Sequence, residues 1–189
     1  WDLVLGLVVM FPVLFSPASK LLGSEKVDVW NHAWGPWWWG HSLTQGILPW
    51  ETTLLHYPDG GTLWFIDPIL AIFGVPLAII HPALGYNFVL WLYVAFASWA
   101  ARRFARSLGA SPSASWIASI AFALSGWMLS EINNGITEAV NIGPVALALA
   151  WTEDAVRANQ KQAKQWAKAG LGVGLATIAS PYLGLGAGI

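Results

Sequence analysis

Asp28 and His32 stand four residues apart in "SEKVDVWNHAWGPWWWGHS", Ser24 to Ser42. If that turn is helical, the spacing lets a carboxylate meet an imidazole. Such a pair can remove or steer a proton as a general base, and a carboxylate there can also hold a metal ion. A second polar group lies in "SEINNGITEAVN", Ser130 to Asn141, where Glu131, Asn133 and Glu138 could line the same cavity. Lys26, Trp39, His41 and Asp59 complete the candidate substrate-binding set. Plainer readings stand beside these. Asp28 could be a solvated loop residue or a partner for Lys26. Glu138 could simply favour a helix N-terminus, and Asp59-Gly60 in "HYPDGG" reads first as a turn. His32, His41 and His56 lack the tight spacing of a zinc motif, so a divalent cofactor stays open, with Asp28 as the candidate ligand.

Other chemistries are excluded or weak. The chain has no cysteine, which removes disulfides, thiolate metal sites and cysteine nucleophiles. It contains no GxSxG, Walker or HExxH motif. Gly170, Gly172 and Gly174 give "GLGVG", but no strand precedes them, so close helix packing is the better reading. The net charge of −1 and the lack of a basic stripe argue against a nucleic-acid partner.

The elements that position these residues follow from hydropathy. The chain is 56% hydrophobic and 10% charged, against roughly 25% charged in soluble domains. Lipid is the solvent this composition suits. About 20 apolar residues cross a bilayer core, and the expectation is an all-α, polytopic transmembrane bundle forming a single membrane domain over 1–189, the N-terminal fragment of a longer protein. Its spans are expected at 1–16, 84–106, 112–131, 137–155 and 167–189. Residues 17–83 form a long outer loop with interfacial or re-entrant helices near 32–46 and 68–82. Charge placement decides the topology. If 68–83 does not cross, both basic clusters (Arg102, Arg103, Arg106 and Arg157, Lys161, Lys164, Lys168) share the cytoplasmic side. All four histidines then fall outside with Glu25, Asp28, Glu51, Asp59, Asp67, Glu131 and Glu138.

The outer loop is aromatic, and five of the fourteen tryptophans fall between Trp30 and Trp39. Indole suits the membrane–water interface, with its ring among lipid and its N–H toward water. At helical spacing Trp30, Trp34, Trp37 and His41 form one stripe, while Asp28, His32 and Trp39 project from the opposite face. Gly35-Pro36 weakens that register, because proline more naturally begins a helix.

The stretches "VDVWNHAWGPWW", "LLHYPDGGTLWFIDPILAIFG", "ALGYNFVLWLYVAFASWAARRFARSLGA" and "LSEINNGITEAVNIGPVALALAW" together resemble the N-terminal half of the GT-C-fold integral-membrane glycosyltransferases. That class includes the protein O-mannosyltransferases and the lipid A aminoarabinose transferase. The resemblance implies transfer of a sugar from a polyprenyl-phosphate-linked donor to an acceptor, left open, at the outer face of a bacterial inner membrane. It places the acidic residue of the first outer loop at Asp28, which acts on the acceptor or holds a metal, with His32 as helper. "YPDGG" departs from the aromatic–Pro–Pro–Leu segment of better-known relatives, and the donor phosphate is left to Lys20, Lys26 or residues beyond the fragment. The alternative is a transporter or flippase for lipid-linked saccharides, for which polar residues within spans, chiefly Asn87 and Asn141, would speak. A third reading is a non-catalytic membrane scaffold.

Overall fold

A computed structural model of the chain describes residues 1–55, 57–62, 67–158 and 163–188. His56, Trp64 to Ile66 and Lys161 lie outside the described residues. The described chain is mostly helical: α1 (Asp2–Val9), α2 (Val29–Thr44), α3 (Pro68–Ala78), α4 (Pro82–Ser107), α5 (Pro112–Ala123), α6 (Gly126–Asn134), α7 (Thr137–Val140), α8 (Gly143–Arg157), α9 (Ala163–Ala179) and α10 (Pro181–Gly188). Two two-residue strands, β1 (Glu51–Thr52) and β2 (Gly61–Thr62), pair antiparallel and interrupt the expected all-α pattern.

The axis of the molecule is α4, which touches α1, α2, α3, α5, α7 and α8. Its apolar core residues Tyr86, Val89, Leu90, Val94 and Ala97 are fully buried. Its N-terminus is set by Pro82 in the first turn and by the His81 ring, which accepts the Ala83 N–H at 3.3 Å. At the far end Arg102 pairs with Asp2 of α1 at 2.5 Å and lies over the Trp116 ring, and Arg103 pairs with Asp154 of α8. Cations near a helix C-terminus also suit its dipole. α1 and α4 therefore run antiparallel.

Small residues permit the closest approaches. A Cβ on Gly85 would fall 2.6 Å from the Gly74 carbonyl oxygen, so α3 and α4 meet backbone to backbone. A Cβ on Gly74 would sit 3.0 Å from the Pro36 ring, which brings α2 onto the same seam. This contact explains a departure from expectation: Pro36 does not start a helix but lies inside α2, buried against α3. Tertiary packing offsets the missing backbone bond.

Among the described residues two helical stretches are long and apolar enough to cross a membrane: Pro82–Ser107, and Pro112–Asn134 taken across the Leu124–Ser125 break. The other expected spans are divided. Residues 1–16 hold the eight-residue α1 followed by turns. Residues 137–155 split into α7 and α8, and the last apolar run into α9 and α10. The breaks follow local chemistry. Ser125 caps α6 by accepting the Met128 N–H, Gly135 ends it with φ of 75°, and Pro181 opens α10.

Candidate functional site

α2 and α3 begin close together and run side by side along α4. Their starting ends, joined by α7, assemble a cluster of buried and half-buried polar side chains.

At its centre is Asp67, only 4% exposed. It caps α3: Oδ1 accepts the Leu70 N–H at 2.9 Å, and Pro68 opens the first turn. The Tyr93 hydroxyl of α4 donates to both carboxylate oxygens, at 2.8 and 3.0 Å. Thr137 of α7, fully buried, lies beside this side chain. Burial is the main cause that raises the Asp67 pKa to about 6, and nearby Glu138 adds to it. The bonds from Leu70 and Tyr93, with the Thr137 hydroxyl nearby, oppose that rise.

His32 joins the cluster from α2. Its Nδ1 lies 2.7 Å from the Thr137 hydroxyl, and its Nε2 lies 3.5 Å from Glu138 Oε2. Burial lowers the His32 pKa, with the charge of Asp28 acting against the shift. The imidazole is therefore neutral near pH 7. Glu138 Oε2 is enclosed and accepts no hydrogen bond.

Asp28 stands at the rim. It occupies the N-cap position of α2, yet its side chain makes no capping bond. The side chain is exposed, with Asn31 Nδ2 at 3.5 Å from Oδ1. It does not point into an enclosed hollow, which corrects the expectation of an inward-facing carboxylate. Its charge still acts on His32 and Glu138. Glu131, half-buried on α6, also acts on Glu138. Exposed Asn133 gives its carbonyl to the Ser24 N–H at 2.7 Å, which ties the loop before α2 to the end of α6.

The remaining candidates lie elsewhere. His41 is nine positions beyond His32, about 14 Å along the helix. It stacks on Trp37 and meets Gln45 at 3.0 Å. Trp39 packs edge-on against Trp50. Exposed Asp59 belongs to the turn between β1 and β2, beside a cleft lined by Trp38, Glu51 and Thr52. Lys26 is exposed, and only its backbone N–H is engaged, with Ser24. So the structure groups Asp28, His32, Glu131 and Glu138, and it leaves His41, Trp39 and Asp59 apart. Among the described residues no group of three or more His, Cys, Asp or Glu side chains is arranged to hold a metal ion.

Asp67, Thr137 and Tyr93 were missed in the sequence. "DP" at 67–68 announces a turn or a helix start, and Asp67 does cap a helix. Nothing local shows that Tyr93, 26 positions away, buries it. Asn87 corrects a different reading. Its Oδ1 accepts the Leu22 N–H, and its Nδ2 donates to the carbonyls of Pro17 and Lys20. This polar residue clasps a loop, so it gives no support to a transport pathway.

Residues 64–187 match glycosyltransferase family 87, which takes in Asp67, Tyr93, Thr137 and Glu138 and leaves Asp28 and His32 outside the matched segment. No curated protein and no solved structure matches significantly. The match spans well over half of the 189 residues, and with it the chain belongs to glycosyltransferase family 87.

Proposed function

We propose that the chain is part of a GT-C-type membrane glycosyltransferase that moves a sugar from a polyprenyl-phosphate-linked donor to an acceptor on the outer face of a bacterial inner membrane. Membership of glycosyltransferase family 87 and the two long apolar helical stretches support transfer at a membrane. The observation that carries the site is the convergence of Asp28, His32 and Glu138 at the starting ends of α2 and α7.

In this reading the acceptor hydroxyl arrives at the rim of the cluster. Asp28, exposed there, takes its proton as the oxygen attacks the anomeric carbon. The bond from that carbon to the lipid phosphate breaks, and the phosphate leaves with the electron pair. His32, neutral and partly buried, orients the hydroxyl beside Asp28. Lys26, exposed on the same loop, is the nearby cation for the departing phosphate.

The test is transfer from a labelled polyprenyl-phosphate sugar by the intact protein in vesicles. Asp28→Asn is expected to lose about a hundredfold to ten-thousandfold in kcat, the range for removal of a general base. Unchanged kcat in that variant would remove Asp28 from the mechanism. A wild-type protein that moves the lipid-linked sugar across the bilayer without transferring it would instead favour the flippase reading.

A further inference from the structure

The proposed transfer site lies toward the Asp67 end of α4. Toward the Arg102 end, α1 and α5 both pack on α4 and leave an apolar groove between them. Trp1, Val4, Leu5 and Val8 form one wall, and Trp116 and Ile120 form the other, around a volume of about 420 Å³. From Trp1 to Val8 the groove runs about 10 Å, a third of the hydrocarbon core of a bilayer. Trp1, Val4, Val8 and Ile120 are each at least 45% exposed. Exposed apolar surface of this kind marks a docking site, and in a bilayer hydrocarbon is what meets it. One end of the groove is polar. Trp116 carries the Arg102 guanidinium over its ring, 4.3 Å from the centroid. Arg102 is neutralised by Asp2, which also accepts the Ser98 hydroxyl at 2.8 Å, and Arg103 is neutralised by Asp154. Arg106 stands one turn beyond Arg102 on the same face of α4. It is exposed, and no carboxylate among the described residues pairs with it. Its Nη1 donates to the Ala110 carbonyl at 2.5 Å, which turns the guanidinium toward the start of α5. The rest of its fork of N–H donors stays available to an anion.

We propose that the groove between α1 and α5 seats an acyl chain of an anionic phospholipid whose phosphate is held by Arg106. An apolar slot that ends at an uncompensated positive charge matches such a lipid, chain first and head second. A zwitterionic head brings its own cation and gains less from one arginine, whereas an anionic head is attracted by its net charge. Volume speaks against a further helix. A helical segment of the same length, about 10 Å across, would fill roughly 800 Å³, about twice what the groove holds. The expected orientation agrees as well. Arg102, Arg103 and Arg106 belong to the basic cluster expected on the cytoplasmic side, where the leaflet has a negative surface potential. The site is separate from the Asp28 rim and does not depend on the transferase reading.

The test is photo-crosslinking of the intact protein with benzoylphenylalanine in place of Ile120. The protein is reconstituted in vesicles of equal parts phosphatidylglycerol and phosphatidylcholine with matched chains, and the adduct is weighed by mass spectrometry. The expected product is a phospholipid adduct in which phosphatidylglycerol exceeds phosphatidylcholine by about fivefold. Arg106→Gln is expected to bring that ratio close to even, and Arg106→Lys to keep most of it. Arg157→Gln, which removes a cation paired with Glu153 on α8, is expected to leave the ratio unchanged. An adduct with another segment of the same chain or with a second copy overturns the proposal, because protein then covers the groove. An even ratio in the wild type, or a preference that survives Arg106→Gln, overturns it too. Should the probe at position 120 disturb folding, native mass spectrometry of the unsubstituted protein released from the same vesicles decides. A retained phosphatidylglycerol that Arg106→Gln loses supports the site, and its absence from the wild type overturns it.

Discussion

Asp67 gives the cluster a pH dependence that can be worked out in sign. Burial raises its pKa to about 6. Above that value the carboxylate is ionised and accepts fully from Tyr93 and the Leu70 N–H. Below it the carboxyl carries its own proton and is a weaker acceptor for Tyr93 and Leu70, which loosens the start of α3. His32 resists charging in the same range, because burial lowers its pKa. Tyr93, Thr137 and Glu138 are the side chains around Asp67, with His32 reached through Thr137. Transfer is therefore expected to fall as pH drops through about 6, the value at which Asp67 takes its proton. The pH profile of Asp67→Asn should lack that limb; a profile identical to wild type would assign the limb to another group. At this scale the sequence was half legible. Asp28 and His32 stand out because four residues separate them. The groups behind them do not, because Tyr93 and Thr137 reach Asp67 only through the packing of α3, α4 and α7.

Two glycines and a proline decide how the helices bring these side chains together. α2, α3 and α4 meet along Pro36, Gly74 and Gly85 with little room to spare. A side chain at position 85 would press on the Gly74 backbone and on Ala78 Cβ, 2.7 Å from its own Cβ. Gly85→Val is expected to cost about 1–3 kcal/mol, as overpacking of a tight contact usually does. Thermal unfolding in detergent measures it. Gly126→Ala, whose added Cβ would meet nothing within 4 Å, is the control and should unfold with wild type. Hydropathy and Pro82 make α4 legible in sequence, and Asp67-Pro68 marks the start of α3. Pro36 misleads for a physical reason. Local propensity breaks a helix at proline, and only the distant Gly74 makes room for one inside α2.

For the molecule as a whole, the question is which face meets which compartment. The five spans expected from apolar runs become two long stretches and several shorter helices, because Ser125, Gly135 and Pro181 cap or interrupt the runs. Hydropathy registers solvent preference and is blind to such breaks. Charge registers the ends: Arg102 and Arg103 gather Asp2 and Asp154 at one end of α4, while Asp67 and His32 collect near α2 and α3. A chain without native cysteine makes the orientation easy to test. Thr53→Cys, exposed in the segment between α2 and α3, is expected to react with an impermeant thiol reagent added outside whole cells. Pro112→Cys, at the exposed start of α5, is expected to react only after the membrane is opened. The reverse pattern would turn the proposed site toward the cytosol.

The clasp made by Asn87 bears on how anything enters. By gripping the chain at Pro17, Lys20 and Leu22, it makes the first stretch of the loop travel with α4 as one rigid piece. Just downstream, Gly23, with φ of 134°, turns the chain against Val29 and Ile132, and the Ser24 N–H fastens it to Asn133. The arm carrying Lys26 and Asp28 is thus moored on both sides, to α6 through Ser24 and to the aromatic helix through the Trp30 indole on the Glu25 carbonyl, so a guest meets the proposed base on a rim set by the fold.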